Sequence, residues 1–176
     1  MLALEQSLEY LRTLGCSTSY ATGSSAVSPH IAVSIPWCNR QLQWQILFSR
    51  GRLAGSAPDV VFEDDSSSNH PFSPLVDSWP RCQDVQLRQQ KSEGSKALRQ
   101  LLQGWSSDTS AAGLQLKQLV QLLLQLFRLH QKARLLEACS NIPRLLFELS
   151  TLPHAEGLEL LLAEGARDTE TKVRPA

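Results

Sequence analysis

The sequence is poor in aromatic and charged side chains, which make up 6% and 19% of its residues, and it contains a single methionine. It has no excess of either charge sign: 17 Lys and Arg are matched by 17 Asp and Glu, so no overall basic field exists to hold nucleic-acid phosphates or an anionic membrane. Cysteine is sparse as well. Cys16, Cys38, Cys82 and Cys139 lie far apart with no C-x-x-C pair, which leaves a zinc ribbon, a thioredoxin-like site and a haem attachment unsupported. Four isolated thiols read as a protein of a reducing, intracellular compartment. Long apolar runs are also missing. The most apolar segment, Leu114 to Leu129, is interrupted by Lys117, Gln118, Gln121, Gln125 and Arg128, well short of the roughly 20 clean apolar residues of a membrane span. Glu5 and Glu9 stand where a secretory signal needs basic residues and then an apolar stretch.

Familiar catalytic patterns are missing in the same way. The segment Arg50-Gly51-Arg52-Leu53-Ala54-Gly55-Ser56 lacks the lysine of a phosphate-binding loop and the glycine triplet of a dinucleotide loop, and it reads as a flexible strand connection. There is no H-E-x-x-H and no G-x-S-x-G. Glu63-Asp64-Asp65 lacks the spacing of a calcium loop and reads as solvated. His30, His70, His130 and His154 are isolated from one another and from the cysteines, and each reads as a surface or helix-face histidine. No cofactor and no metal ligand set is expected.

What is present is enough chain for one core. At 176 residues a domain buries roughly two thirds of the surface its unfolded chain exposes, so neither metal nor disulfide is required for stability. Up to Pro80 the chain holds four basic and seven acidic residues, beyond it thirteen and ten, so a −3 half precedes a +3 half. Leu4, Leu8, Leu11 and Leu14 follow a helical period with Gly15 as a stop, which predicts a short amphipathic helix over 2–14. Residues 15–29 read as a loop or a weak edge strand. Ile31, Val33 and Ile35, then Leu42, Trp44, Ile46 and Phe48, alternate with small or polar residues, the period of strands with one buried face. The intervening Pro36-Trp37-Cys38-Asn39-Arg40 fits a hairpin loop, and Val60-Val61-Phe62 extends the meander. Gln83 to Gln103 is ambiguous, with Lys91 to Ser95 reading as a solvated insertion. From Leu114 the signal is helical: Leu116, Leu119, Val120, Leu123, Phe127 and His130 share a face, and Pro143 opens another helix to about Leu152. The expected architecture is α+β: helix, antiparallel β-meander, long loop, then helices packed on one sheet face.

Asn69-His70-Pro71 after the meander, with Cys82 about a dozen residues on, is similar to ubiquitin-conjugating enzymes, in which a His-Pro-Asn segment precedes a thioester-forming cysteine. Here Phe72 replaces the asparagine, and Trp79-Pro80-Arg81 precedes Cys82 in place of the usual Gly-x-Ile. That combination resembles the catalytically silent UEV and RWD relatives. Within them, Ile35-Pro36, Leu42, Trp44, Ile46, Phe48 and Pro58-Asp59-Val60-Val61-Phe62 resemble the first such domain of the BRE family, scaffold subunits of the BRISC deubiquitinase complex. Trp105, Arg134, Arg144-Leu145, Phe147-Glu148 and Ser150-Thr151 look like that family's Trp-containing loop, long helix and R-L-x-F-E-x-S-T segment, as found in plant- or alga-like members. The chain departs from the pattern at Leu53-Ala54, where Tyr-Pro is expected, and in a long connection over Ser66 to Gln100.

The resemblance implies a UEV/RWD-like domain over residues 1–160, with a loop insertion at about 66–100 and a polar tail, disordered or truncated, over 161–176. It implies a non-catalytic adaptor of a BRISC-type complex that acts on polyubiquitin chains in cytoplasm and nucleus, with a related role in the DNA-damage response and DNA repair. Its partners would be a JAMM-type protease and that protease's scaffold partner, with weak ubiquitin binding, and neither nucleic acid nor membrane. The family carries a second such domain absent from this chain, so the sequence reads as an N-terminal fragment or a shortened form. Candidate interface residues are Trp37, Trp79 and Leu124. Two alternatives stay open: an active conjugating enzyme using Cys82, and an RWD-type interaction domain outside ubiquitin biology.

Overall fold

The computed structural model describes residues 2–13, 16–21, 30–37, 40–49, 54–62, 71–76, 79–80 and 84–151. Cys38, Cys82, His70, His154, the acidic Glu63–Asp65 and the tail 161–176 lie outside the described residues. The order is α1 (Leu2–Thr13), β1 (Ser17–Ala21), β2 (His30–Trp37), β3 (Arg40–Leu47), β4 (Asp59–Phe62), α2 (Val85–Gln103), α3 (Thr109–Ala138) and α4 (Pro143–Thr151). The strands form one antiparallel sheet in the order β1-β2-β3-β4, and the chain is α+β.

The sheet follows its period-two pattern. Ile31, Val33, Ile35 and Trp37 on β2, and Leu42, Trp44 and Ile46 on β3, are all buried on one face. Their register pairs Ile31 with Ile46, Val33 with Trp44 and Ile35 with Leu42, so the large apolar side chains meet across the strands. The opposite face carries Ser34, Gln41 and Gln43. Gln43 Nε2 donates to Ser34 Oγ at 2.9 Å, and Ser34 Oγ donates to Gln41 Oε1 at 3.0 Å. Ladder pairing continues to Trp37 opposite Arg40, so the β2–β3 connection is two residues long instead of the five expected from Pro36 to Arg40. Pro36 is tolerated because it is exposed at the far end of the strand, and Trp37 continues the inward phase of the odd-numbered residues.

Against the buried face lies α3, whose Leu116, Leu119, Val120, Leu123, Leu126 and Phe127 join the strand residues in one core. His130, on the same face, is fully buried rather than at the surface. Helices α1 and α2 each pack on α3, and α1 also touches β1. Each fully buried Leu or Phe contributes on the order of 1.5–3 kcal/mol relative to exposure, so the leucine-rich face of α3 is a large source of adhesion in the fold.

Residues 85–100 are not a loop insertion. They belong to α2, which runs unbroken through Lys91–Ser95. Ser92, Gly94 and Ser95 are weaker helix formers than the Leu, Arg, Lys, Gln and Glu around them, but such small residues let helices approach closely. A Cβ at Gly94 would lie 2.9 Å from Leu126 Cδ2, so glycine permits α2 to seat directly on α3. Ser95 is buried, and its hydroxyl donates to the Pro74 carbonyl at 2.8 Å. Tertiary contacts thus override local propensity.

Both long helices start on aspartate. Asp84 Oδ1 accepts from Leu87 N–H at 3.0 Å, and Asp108 Oδ2 accepts from Ala111 N–H at 2.9 Å. The turn between them is clamped by Gln115, which accepts from Ser106 N–H and donates to the Gly104 carbonyl, both at 2.8 Å. Asp108→Ala is expected to lower stability by about 1 kcal/mol, read as a shifted urea midpoint with an unchanged slope.

Candidate functional site

Residues 71–76 and 79–80 are the described part of the loop between β4 and α2. Phe72 is buried and touches four rings: it stacks on Trp44 (6.3 Å between centroids, 16° between planes) and meets Phe62, Phe127 and His130 edge-on at 4.8, 5.2 and 5.5 Å. Its partners come from β3, β4 and α3, so a single loop residue ties the sheet to the central helix. Edge-to-face pairs of this kind add about 0.5–1.5 kcal/mol each beyond the area they bury.

Other described residues of this loop are held to α2. Besides the Ser95 bond to Pro74, Arg99 donates to the Leu75 carbonyl at 3.0 Å. Trp79 is half-buried, lies edge-on to His130 at 5.3 Å, donates its indole N–H to the Ser73 carbonyl at 3.2 Å, and has Lys91 Nζ 5.1 Å above its ring. The described part of the loop presents Leu75 and Val76 to solvent, 37% and 51% exposed.

The residues singled out from sequence are distributed as follows. Ile35, Leu42, Trp44, Ile46, Phe48 and Pro58 are buried, Phe62 and Trp105 are half-buried against the core, and Pro36 and Asp59 are exposed. Arg134 is buried on α3. Phe147, of the R-L-x-F-E-x-S-T segment, is 69% exposed on α4, and Glu148 is exposed and ion-paired with Arg144 at 3.1 Å. Trp37, grouped with the interface, is 2% exposed and packs edge-on to Phe127 at 5.1 Å, so it belongs to the core. Leu124 is half-buried and lines a groove between α2 and α3. Sequence reasoning missed Gly94, Ser95 and the depth of Phe72. A small residue at helical spacing from Leu87, Leu98 and Leu101 was the available signal for the first two.

The free thiols Cys16 and Cys139 are buried, and desolvation pushes both above the ordinary cysteine range, away from the nucleophilic thiolate. Iodoacetamide at neutral pH is expected to spare both in the native protein and label both after denaturation, which peptide mapping by mass spectrometry checks. No helix among the described residues is long and apolar enough to cross a membrane. Compared with protein-family models, with curated proteins and with solved structures, the chain matches none.

Proposed function

We propose that this chain is a non-catalytic UEV/RWD-like adaptor that helps assemble a BRISC-type deubiquitinase complex acting on polyubiquitin chains. The observation that carries the reading is Phe72. A conjugating enzyme needs a polar side chain there to stabilise the oxyanion formed when a lysine attacks the thioester. This chain instead uses the position for an aromatic anchor buried among Trp44, Phe62, Phe127 and His130. The order of elements, one helix, a four-stranded meander, a proline-containing loop and then helices on one sheet face, supports the same reading.

The adaptor supplies surfaces rather than a reaction. Its partners in this reading are a JAMM-type protease and that protease's scaffold subunit, with weak contact to ubiquitin, and it works in cytoplasm and nucleus with a related role in the response to DNA damage and in DNA repair. Two experiments test it. Incubation with activating enzyme, ubiquitin and ATP is expected to yield no thiol-sensitive adduct on a non-reducing gel; an adduct that Cys82→Ala removes would establish the conjugating enzyme instead. Affinity purification from cells is expected to recover the JAMM-type protease and its scaffold. Recovery of neither in the presence of other stoichiometric partners would assign the chain to an interaction module outside ubiquitin biology.

A further inference from the structure

Buried polar side chains are few among the described residues, and three of them share one turn of α3: His130, Gln131 and Arg134. His130 is the deepest, with none of its surface exposed, and two loop rings cover it. Phe72 meets it edge-on at 5.5 Å and 62°, Trp79 at 5.3 Å and 81°. The loop between β4 and α2 is thus seated on a group that titrates near neutrality in water. His30, the other described histidine, is half-buried at the start of β2 and outside this contact. The charges on the surrounding elements are set as follows. Along α3, Arg134 is buried one turn beyond His130 and Glu137 is half-buried two turns beyond it. On α2, Lys91 Nζ lies 5.1 Å above the Trp79 ring, Asp84 caps the helix, and Arg88, Glu93, Lys96 and Arg99 are exposed. Asp59 on β4 and Glu5, Glu9 and Arg12 on α1 are exposed as well.

We propose that His130 makes this loop acid-sensitive: Phe72 and Trp79 seat on the neutral imidazole, and a proton on that ring lifts them off. A charge held among aromatic rings and away from water is costly, and the buried guanidinium of Arg134 one turn away adds like-charge repulsion. The least disruptive relief is to let water in. Of the elements around His130 the loop is the one without a ladder or a helix of its own, so its displacement hydrates the imidazole while the sheet and α3 stay intact. The sign follows from proton binding. With the loop open, His130 meets water and takes up a proton at about pH 6.5; with the loop closed, the proton is excluded. The open form therefore binds more protons, closure holds in full above that pH, and the ratio of open to closed rises up to about tenfold for each pH unit below it. The inference concerns the loop and is independent of which assembly the chain serves.

The test is hydrogen exchange of the full chain, read by mass spectrometry from about pH 7.5 to about pH 5.5 and normalised at each pH to the unfolded chain. Protection of residues 71–76 is expected to fall by about tenfold per pH unit below about pH 6.5, while β2 and β3 keep theirs. His130→Phe and His130→Gln remove the titrating group with and without an aromatic ring, and either is expected to make loop protection independent of pH over this range; thermal melts report whether each folds. Nitrogen-15 NMR of the wild-type imidazoles reads the same event without a variant, since His130 is expected to take up its proton in step with loop opening. His70, two residues before Phe72 in sequence and outside the described residues, supplies the control His70→Gln, which is expected to keep the slope. Flat protection in the wild type, an undiminished slope in the folded His130 variants, a slope abolished by His70→Gln, a His130 ring that stays neutral while the loop opens, or loss of protection in loop and sheet together would each overturn the proposal.

Discussion

Phe72→Asn is expected to cost about 3–5 kcal/mol of folding stability and to confer no thioester chemistry. The substitution introduces the asparagine of the proposed conjugating-enzyme comparison at a position whose side chain is buried. It removes a ring from contact with Trp44, Phe62, Phe127 and His130, leaves a cavity that the closely packed surroundings fill only in part, and buries a carboxamide among aromatic edges. Phe72→Leu, which keeps the apolar character and loses only part of the volume, is expected to cost about 1–2 kcal/mol. Urea unfolding monitored by tryptophan fluorescence measures both. An asparagine variant that unfolds within about 1 kcal/mol of the wild type would show that Phe72 does not anchor the loop, and burial of this residue would no longer favour a non-catalytic module.

The second large effect concerns Trp37. Trp37→Ala is expected to destabilise the fold by about 3–5 kcal/mol, whereas an exposed interface tryptophan would leave stability within about 0.5 kcal/mol. The reason is its place at the end of the inward row of β2: it is 2% exposed, and its ring meets the edge of Phe127, which itself touches Trp44 and Phe72. Trp37→Phe retains an aromatic contact and is expected to recover more than half of the loss. A calorimetric scan separates the cases, since an unchanged melting temperature for Trp37→Ala would return this residue to the surface.

These two residues also mark how far the sequence alone could be read. The inward rows of β2 and β3 were legible because alternation of Ile, Val, Leu and Trp with Ser, Ala and Gln has a single physical solution, one dry and one wet face. The same phase extends to Trp37, but Pro36 beside it suggested a turn. The proline stands at an exposed strand end, where a missing N–H does little harm. The face of α3 was legible for a similar reason, as its leucines repeat at the helical period. Helix α2 was not. Its Gly94 and Ser95 weaken a local forecast, and what stabilises them is distant in sequence: the Leu126 side chain and the Pro74 carbonyl. Phe72 was opaque too, since nothing in a loop's composition says which of its residues turns inward. Phe147 shows the converse, a large aromatic whose motif context carries no information about burial.

The position of the loop between two hairpins has a kinetic consequence. The β2–β3 pair and the α2–α3 pair each close over short connections, so each can form from local contacts alone. Phe72 touches both and belongs to neither, so its docking requires both surfaces to be in place. Substitutions there are expected to accelerate unfolding almost in full proportion to the stability they remove while leaving the refolding rate nearly unchanged, a pattern that stopped-flow chevrons resolve. On that expectation the ring is a latch that closes last and opens first.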